Sequence, residues 1–200
     1  MTKVKICGLS RPCDIDAVNA ASPNYIGFVF AESKRKVTLP QAAELRKALS
    51  PGIIPVGVFV DESIENILSV VAAGAIDIVQ LHGAADEVYI QKLKSLTDKP
   101  IIKAIAVQKM GDVQKWSATA ADYLLLDHKG GGTGQSFDWD IIGETPKPYF
   151  LAGGLGVGNI IEAIQKTTPY AVDVSSGVET ENAKDPTKIN EFIRRVRHGY

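Results

Sequence analysis

Tyr123-Leu124-Leu125-Leu126-Asp127 runs directly into His128-Lys129-Gly130-Gly131-Gly132-Thr133-Gly134. The first part has the pattern of a buried strand that ends in a carboxylate, and the second opens into a glycine-rich loop. In parallel α/β folds, ligands gather outside the carboxyl ends of the strands. An aspartate at that point can take part in chemistry, and glycines let backbone come close to a substrate. The same aspartate would serve equally well as a helix cap in an ordinary turn. The rest of the chain separates the two readings.

Working outward, strand-like apolar runs recur at residues 4–7, 25–30, 53–60, 77–81, 100–105, 122–126, 148–152 and 170–174. Several are rich in β-branched residues and bounded by Gly or Pro, as buried parallel strands should be. Helical periodicity is clear at 39–49, 63–73, 87–96, 159–166 and 186–197, and weaker after the first and sixth strands. Alternating strand and helix predicts a parallel sheet. Eight units in 200 residues average 200/8 = 25 residues each, which fits a small (β/α)8 or TIM barrel. The expectation is an α/β protein with a single (β/α)8 barrel domain spanning residues 1–200. A doubly wound open sheet competes, but it usually needs fewer strands.

Composition narrows the function classes. The net charge is −1, which leaves no electrostatic footprint for nucleic acid. Hydrophobic residues make up 45% of the chain, yet no apolar run is long enough to cross a bilayer. Met1 to Ile6 enters a strand pattern without the features of a signal peptide. Cys7 and Cys13 lack the spacing of a zinc site or redox motif, and the three histidines are scattered. The expectation is a reduced, cytoplasmic protein with no metal and no nucleic-acid or membrane partner.

Strand parity orders the interior. Side chains alternate faces with period two, so Lys5 shares a face with Cys7, Gln80 with His82, Lys103 with Ile105, Leu125 with Asp127, and Asp173 with Ser175. In a barrel these mostly polar pairs are expected to face the axis, with Lys5, Gln80, Lys103 and Asp173 forming a layer beneath Cys7, His82 and Asp127. Buried charges are usually paired. Strands one and eight adjoin in a closed barrel, so Lys5 and Asp173 are predicted to pair.

Three loops complete the candidate site. Cys7 ends the first strand at the rim where barrel enzymes keep reactive groups. Its thiolate would be a nucleophile or a base. Leu151-Ala152-Gly153-Gly154-Leu155-Gly156 follows the seventh strand and Val174-Ser175-Ser176-Gly177 the eighth. Barrels often bind phosphate with those two loops, which points to a phosphorylated ligand. Ser33-Lys34-Arg35-Lys36-Val37 follows the second strand, either as a solvated basic loop or as a grip on a substrate carboxylate. His82, after the fourth strand, serves structure or substrate.

Taken in order, Lys5-Ile6-Cys7-Gly8-Leu9, Ser33-Lys34-Arg35, Val56-Gly57-Val58-Phe59, Gln80-Leu81-His82-Gly83, Gly131-Gly132-Thr133-Gly134 with Phe137-Asp138-Trp139, Leu151-Ala152-Gly153-Gly154-Leu155 and Val172-Asp173-Val174-Ser175-Ser176-Gly177-Val178-Glu179 resemble the phosphoribosylanthranilate isomerase family of tryptophan biosynthesis. The resemblance covers nearly the whole chain. It implies a (β/α)8 barrel with no cofactor, acting alone or as a homodimer on a phosphorylated sugar–anthranilate substrate. The implied reaction is an Amadori rearrangement, which turns N-(5'-phosphoribosyl)anthranilate into 1-(2-carboxyphenylamino)-1-deoxyribulose 5-phosphate. By resemblance Cys7 is the general base, Asp127 the general acid, and Arg35 the partner of the anthranilate carboxylate. The two small-residue loops, with Gly153, Gly154, Ser175, Ser176 and Gly177, correspond to the family's phosphate site, while His82 and Asp173 are expected from their place on the strands to be further substrate contacts. A free thiol titrates near ~8.5, so Cys7 is expected to be depressed by Lys5 and the phosphate loops.

Three positions depart from the family pattern. Asn182 stands where a glycine is usual, and Asn tolerates positive φ. In Gly83-Ala84-Ala85-Asp86-Glu87 the acidic residues come late, and Gly130 adds a glycine to the sixth loop. Another phosphosugar isomerase, or a barrel that binds phosphosugars without turnover, stands as the alternative.

Overall fold

Strand β1 (Lys3–Cys7) hydrogen-bonds to β2 (Tyr25–Val29) on one side and to β8 (Ala171–Val174) on the other, so the sheet closes on itself. The computed structural model describes residues 1–128 and 137–199. Between β2 and β8 run β3 (Ile54–Val60), β4 (Ile78–His82), β5 (Ile101–Ala106), β6 (Tyr123–Asp127) and β7 (Tyr149–Leu151), each parallel to its neighbours in chain order. The expected (β/α)8 barrel is the observed one. The opening stretch supplies β6, which ends on Asp127. Residues 129–134 of that stretch, Gly130 included, lie outside the described residues.

Six α-helices cover the outside among the described residues: α1 (Pro12–Ala21), α2 (Leu39–Lys47), α3 (Ile64–Ala72), α4 (Glu87–Lys94), α5 (Ile160–Thr167) and α6 (Pro186–His198). Their starts follow from capping chemistry, because a side-chain oxygen before the first turn accepts one of the orphan N–H groups there. Thr38, Ser63, Asp86 and Asp185 do so for α2, α3, α4 and α6. The late acidic residue of the fourth loop, Asp86, is thus a helix cap. Asp14 begins α1 by accepting from the N–H groups of Ser10 and Arg11 at 3.0 Å, so the weak first helical pattern is a full helix. After β5 the chain makes only a 3-10 turn, Gln114–Trp116, beyond Gly111, whose φ is +92°. After β6 the described residues show a 3-10 turn at Trp139–Ile141.

The core has two layers. Ile6, Ile26, Val79, Leu124, Leu126 and Val172 belong to the cluster that packs the sheet against its helices. Inside the barrel lie Tyr25, Val56, Ile78, Ile102, Ala104, Leu125, Phe150, Ala152 and Ala171. The amino end of the interior is filled by rings. Phe150 meets Tyr25, Tyr123 and Tyr170 edge-on, with centroids 5.4, 5.7 and 5.8 Å apart. Toward the carboxyl end the interior positions shrink to Gly27, Ala104, Ala106 and Ala152, and there the barrel opens.

The interior parity needs one correction. Ile102 and Ala104 occupy the axis of β5, and Ile105 packs in the outer layer. Lys103, on the same face as Ile105, therefore points toward the helices. Its amine donates to the Gly83 carbonyl at 3.0 Å and lies 5.1 Å above the Trp116 ring. A long aliphatic stem lets a lysine cross an apolar layer and end on an acceptor, so polarity alone does not put a strand residue inside a barrel.

Candidate active site

The carboxyl ends of the strands ring a cavity of about 700 Å³. Cys7, Arg35, His82, Asp127, Asp173, Gly153, Gly154, Ser175 and Ser176 all line it. The fold therefore brings together nine of the ten residues singled out in the sequence. The tenth, Gly177, sits just outside. A Cβ there would lie 2.0 Å from the Leu155 carbonyl oxygen, so Gly177 lets the loops after β7 and β8 touch.

Cys7 and Asp127 approach the cavity from β1 and β6, which are separated around the barrel by β7 and β8. Room for the thiol depends on the neighbouring strand. Gly27 pairs with Cys7 in register, and a Cβ at Gly27 would lie 2.6 Å from the Cys7 Sγ. Beneath the thiol, Lys5 Nζ bonds Asp173 Oδ1 at 3.0 Å with the lysine wholly buried, which is the predicted ion pair. Burial opposes the charge on Lys5, but Asp173 and Cys7 outweigh it and its pKa is raised.

The two candidate proton-transfer groups are both shifted upward. Burial raises Asp127 to about 6, against the His128 N–H that it accepts at 2.7 Å. Burial also raises the Cys7 thiol, and the pull of Lys5 does not cancel it. The expected depression of the thiol is therefore absent from the free cavity, because desolvating a thiolate outweighs one buried amine that is already engaged by Asp173. His82 is pushed down to about 4 by burial and by Lys5 and Lys103. It is neutral, and its Nε2 lies 2.7 Å from the Gln80 side-chain amide.

Above the thiol lies a cluster that sequence reasoning missed. Arg35 donates from Nε and Nη2 to the two oxygens of Glu179 at 2.7 and 2.8 Å. Lys184 Nζ bonds the same carboxylate at 2.7 Å, and Lys34 stands 3.9 Å away. Burial disfavours the charge on Glu179, yet Arg35 and Lys184 hold its pKa down to about 2. Three cations around one anion leave a positive field at the rim, which suits an anionic ligand. Glu179 and Lys184 flank a two-stranded hairpin, β9 (Glu179–Thr180) and β10 (Ala183–Lys184). Its turn places Glu181 at φ +52° and Asn182 at φ +63°, so Asn182 takes the conformation for which a glycine is usual. Nothing periodic marks this hairpin, and only the pairing of an acidic and a basic residue across a short polar turn hinted at it.

Among the described residues, no group of three His, Cys, Asp or Glu side chains is placed to hold a metal ion. No described helix is long and apolar enough to cross a membrane.

A closed parallel barrel with acid–base groups at the carboxyl rim and a cationic lip is the build of a (β/α)8-barrel isomerase. The comparisons with known proteins carry this further. The chain belongs to the N-(5'-phosphoribosyl)anthranilate isomerase family, whose sequence model matches residues 4–195. It is 47% identical over 201 residues to the N-(5'-phosphoribosyl)anthranilate isomerase of Endomicrobium trichonymphae, covering 98% of this chain and 99% of that one. The crystal structure of phosphoribosyl anthranilate isomerase from Thermus thermophilus superposes with a TM-score of 0.90 at 29% identity, covering all of both chains. A phosphoribosyl anthranilate isomerase in complex with reduced 1-(o-carboxyphenylamino)-1-deoxyribulose 5-phosphate matches at TM-score 0.84 and 32% identity, covering 98% of this chain and 99% of that one.

Proposed function

We propose that this protein converts N-(5'-phosphoribosyl)anthranilate to 1-(2-carboxyphenylamino)-1-deoxyribulose 5-phosphate in tryptophan biosynthesis, with Asp127 as general acid and Cys7 as general base. The observation that carries the reading is that these two groups enter one cavity from separated strands, next to the small-residue loops after β7 and β8. Asp127 protonates the ribose ring oxygen, the C1–O bond breaks, and C1 is left as an iminium. Cys7 thiolate then removes the C2 proton, and the electron pair moves to give an enolamine. Loss of the enol proton and protonation at C1 complete the ketone. C2 is oxidised and C1 reduced within one molecule, so the step is redox-neutral and an acid and a base can carry it.

The remaining residues serve binding. Arg35 faces the anthranilate carboxylate with the guanidinium hydrogens that Glu179 leaves over. Gly153, Gly154, Ser175 and Ser176 cradle the phosphate, with Gly177 letting the two loops meet. His82, neutral in the cavity, offers a ring nitrogen to the substrate, and Asp173 holds Lys5 beneath the thiol while bordering the ribose.

An Asp127 pKa near 6 suits an acid at neutral pH, because an appreciable fraction is protonated there. The raised thiol means that the active form, Cys7 thiolate with Asp127 acid, is the minor ionisation state of the free enzyme. The test is growth rescue of an isomerase-deficient tryptophan auxotroph. The intact gene should restore growth, and the Cys7→Ala and Asp127→Asn variants should not. Rescue by both variants would reject the assignment.

A further inference from the structure

Lys184 does not line the cavity, yet its amine is buried and fully engaged. Its side chain is 2% exposed. Nζ donates to the Ser175 carbonyl at 2.9 Å, to the Glu179 carboxylate at 2.7 Å and toward Ser175 Oγ at 3.3 Å. An ammonium has three hydrogens, and all three are used. Each acceptor leads to a different part of the site. Glu179 passes the restraint to Arg35 through two parallel bonds of 2.7 and 2.8 Å. Ser175 Oγ donates to the Cys7 carbonyl at 3.0 Å, tying the loop after β8 to the end of β1.

The bond to the Ser175 carbonyl also sets a direction. A trans peptide is planar, and its C=O and N–H point opposite ways. Pinning the Ser175 oxygen to Lys184 therefore turns the Ser176 N–H away from Lys184, on a loop whose residues border the cavity. One buried amine thus orients the Ser176 N–H at one end and the Arg35 guanidinium at the other.

We propose that Lys184 is a positioning residue that couples the phosphate loop to the carboxylate-reading Arg35, so that both ends of the substrate site are set by one ammonium group. This rests on the reading of the cavity given above. A side chain that served stability alone would leave phosphate affinity and carboxylate preference unchanged in a variant that folds.

The experiment compares wild type, Lys184→Met, Glu179→Gln and the double variant. It has three readouts: the affinity for inorganic phosphate, the KM and kcat for the phosphoribosyl substrate, and kcat/KM for an analogue lacking the ring carboxylate. Lys184→Met is expected to weaken phosphate roughly tenfold and to raise KM by more than it lowers kcat. It should also erase most of the preference for the carboxylate-bearing substrate. Glu179→Gln should erase that preference and leave phosphate affinity near wild type. Because the two act in one chain of contacts, the double variant should have about the preference of the worse single variant. A folded Lys184→Met, or a folded double variant if the single one does not fold, that binds phosphate as wild type does would overturn the proposal. Full retention of the carboxylate preference in Glu179→Gln, which is isosteric, would overturn it independently. Absence of turnover in the wild type would reject the assigned reaction instead, while the phosphate measurement still decides the role of Lys184.

Discussion

Gly27 and Cys7 face one another across the β1–β2 pair so closely that one added carbon at residue 27 would lie 2.6 Å from the Cys7 sulfur. The thiol is held against that bare backbone, and its position is a property of two strands. Gly27→Ala should push the sulfur off its site while leaving the barrel folded. Overpacking of this kind costs about 1–3 kcal/mol of stability, whereas a displacement of about 1 Å at a reacting group costs roughly a hundredfold in rate. Steady-state kinetics beside a thermal melt would show it, and full activity with a normal melting temperature would refute it.

The pH dependence of kcat/KM follows from the two raised pKa values. Below about 6, Asp127 stays protonated and the thiolate fraction falls as pH falls, so activity drops. Above 6 the loss of Asp127 acid is balanced by the gain of Cys7 thiolate, and the curve is level until the thiol itself titrates above its ordinary range. In Asp127→Asn the level stretch should vanish and the residual activity should climb with pH through that span. A variant curve with its lower bend still near 6 would assign that bend to another group.

Asp127 also carries a stability cost with a definite sign. Its folded pKa of about 6 lies above the ordinary 3.8, so the native state binds the proton more tightly than the unfolded chain does. Stability therefore falls as pH rises from about 4 to 6 and stays lower above that range. Asp127→Asn should be more stable than wild type at pH 8, by at most roughly 3 kcal/mol, since each pKa unit is about 1.4 kcal/mol. At pH 3 the two should match. Denaturant titration at the two pH values measures the difference directly.

The buried pair Lys5–Asp173 should be intolerant of half-removal. Asp173→Asn leaves the Lys5 ammonium with no exposure and without its carboxylate. Breaking one partner of such a pair typically costs about 3–5 kcal/mol. An unchanged urea midpoint at pH 7 would mean that the lysine had found another acceptor.

Arg35 should read the ring carboxylate. A charge-assisted hydrogen bond contributes about 1.5–3 kcal/mol, and the rim position favours the lower part. Arg35→Ala should therefore cost at least about tenfold in kcat/KM on the natural substrate, and little on an analogue without the carboxylate. Equal losses on both would move the recognition to Lys34 or Lys36.

The barrel and the placement of Cys7 and Asp127 at its rim were legible in the sequence because they rest on short-range rules. β-Branched runs mark strands, period two assigns faces, and ring closure puts the first strand beside the last. That was enough to pair Lys5 with Asp173 and to place Cys7, His82 and Asp127 on one rim. Lys103 escaped because its stem lets a strand residue on the helix side end on the Gly83 carbonyl. The Arg35–Glu179–Lys184 contacts escaped for a different reason. They join a loop after β2 to a hairpin 144 positions later, and no local pattern records a contact of that span.

The narrowing of interior side chains from the rings around Phe150 to Gly27, Ala104, Ala106 and Ala152 makes the cavity's capacity an independent variable. Strand hydrogen bonds are made by backbone, so enlarging Ala104, Ala106 or Ala152 changes what fits without rewriting how the barrel closes, whereas Gly27 is kept bare by the Cys7 thiol. The ring-filled end meanwhile keeps the fold's stability out of the same negotiation. At the three alanines, descendants of this chain could therefore change clientele in steps of one methyl group while the scaffold underneath stays the same.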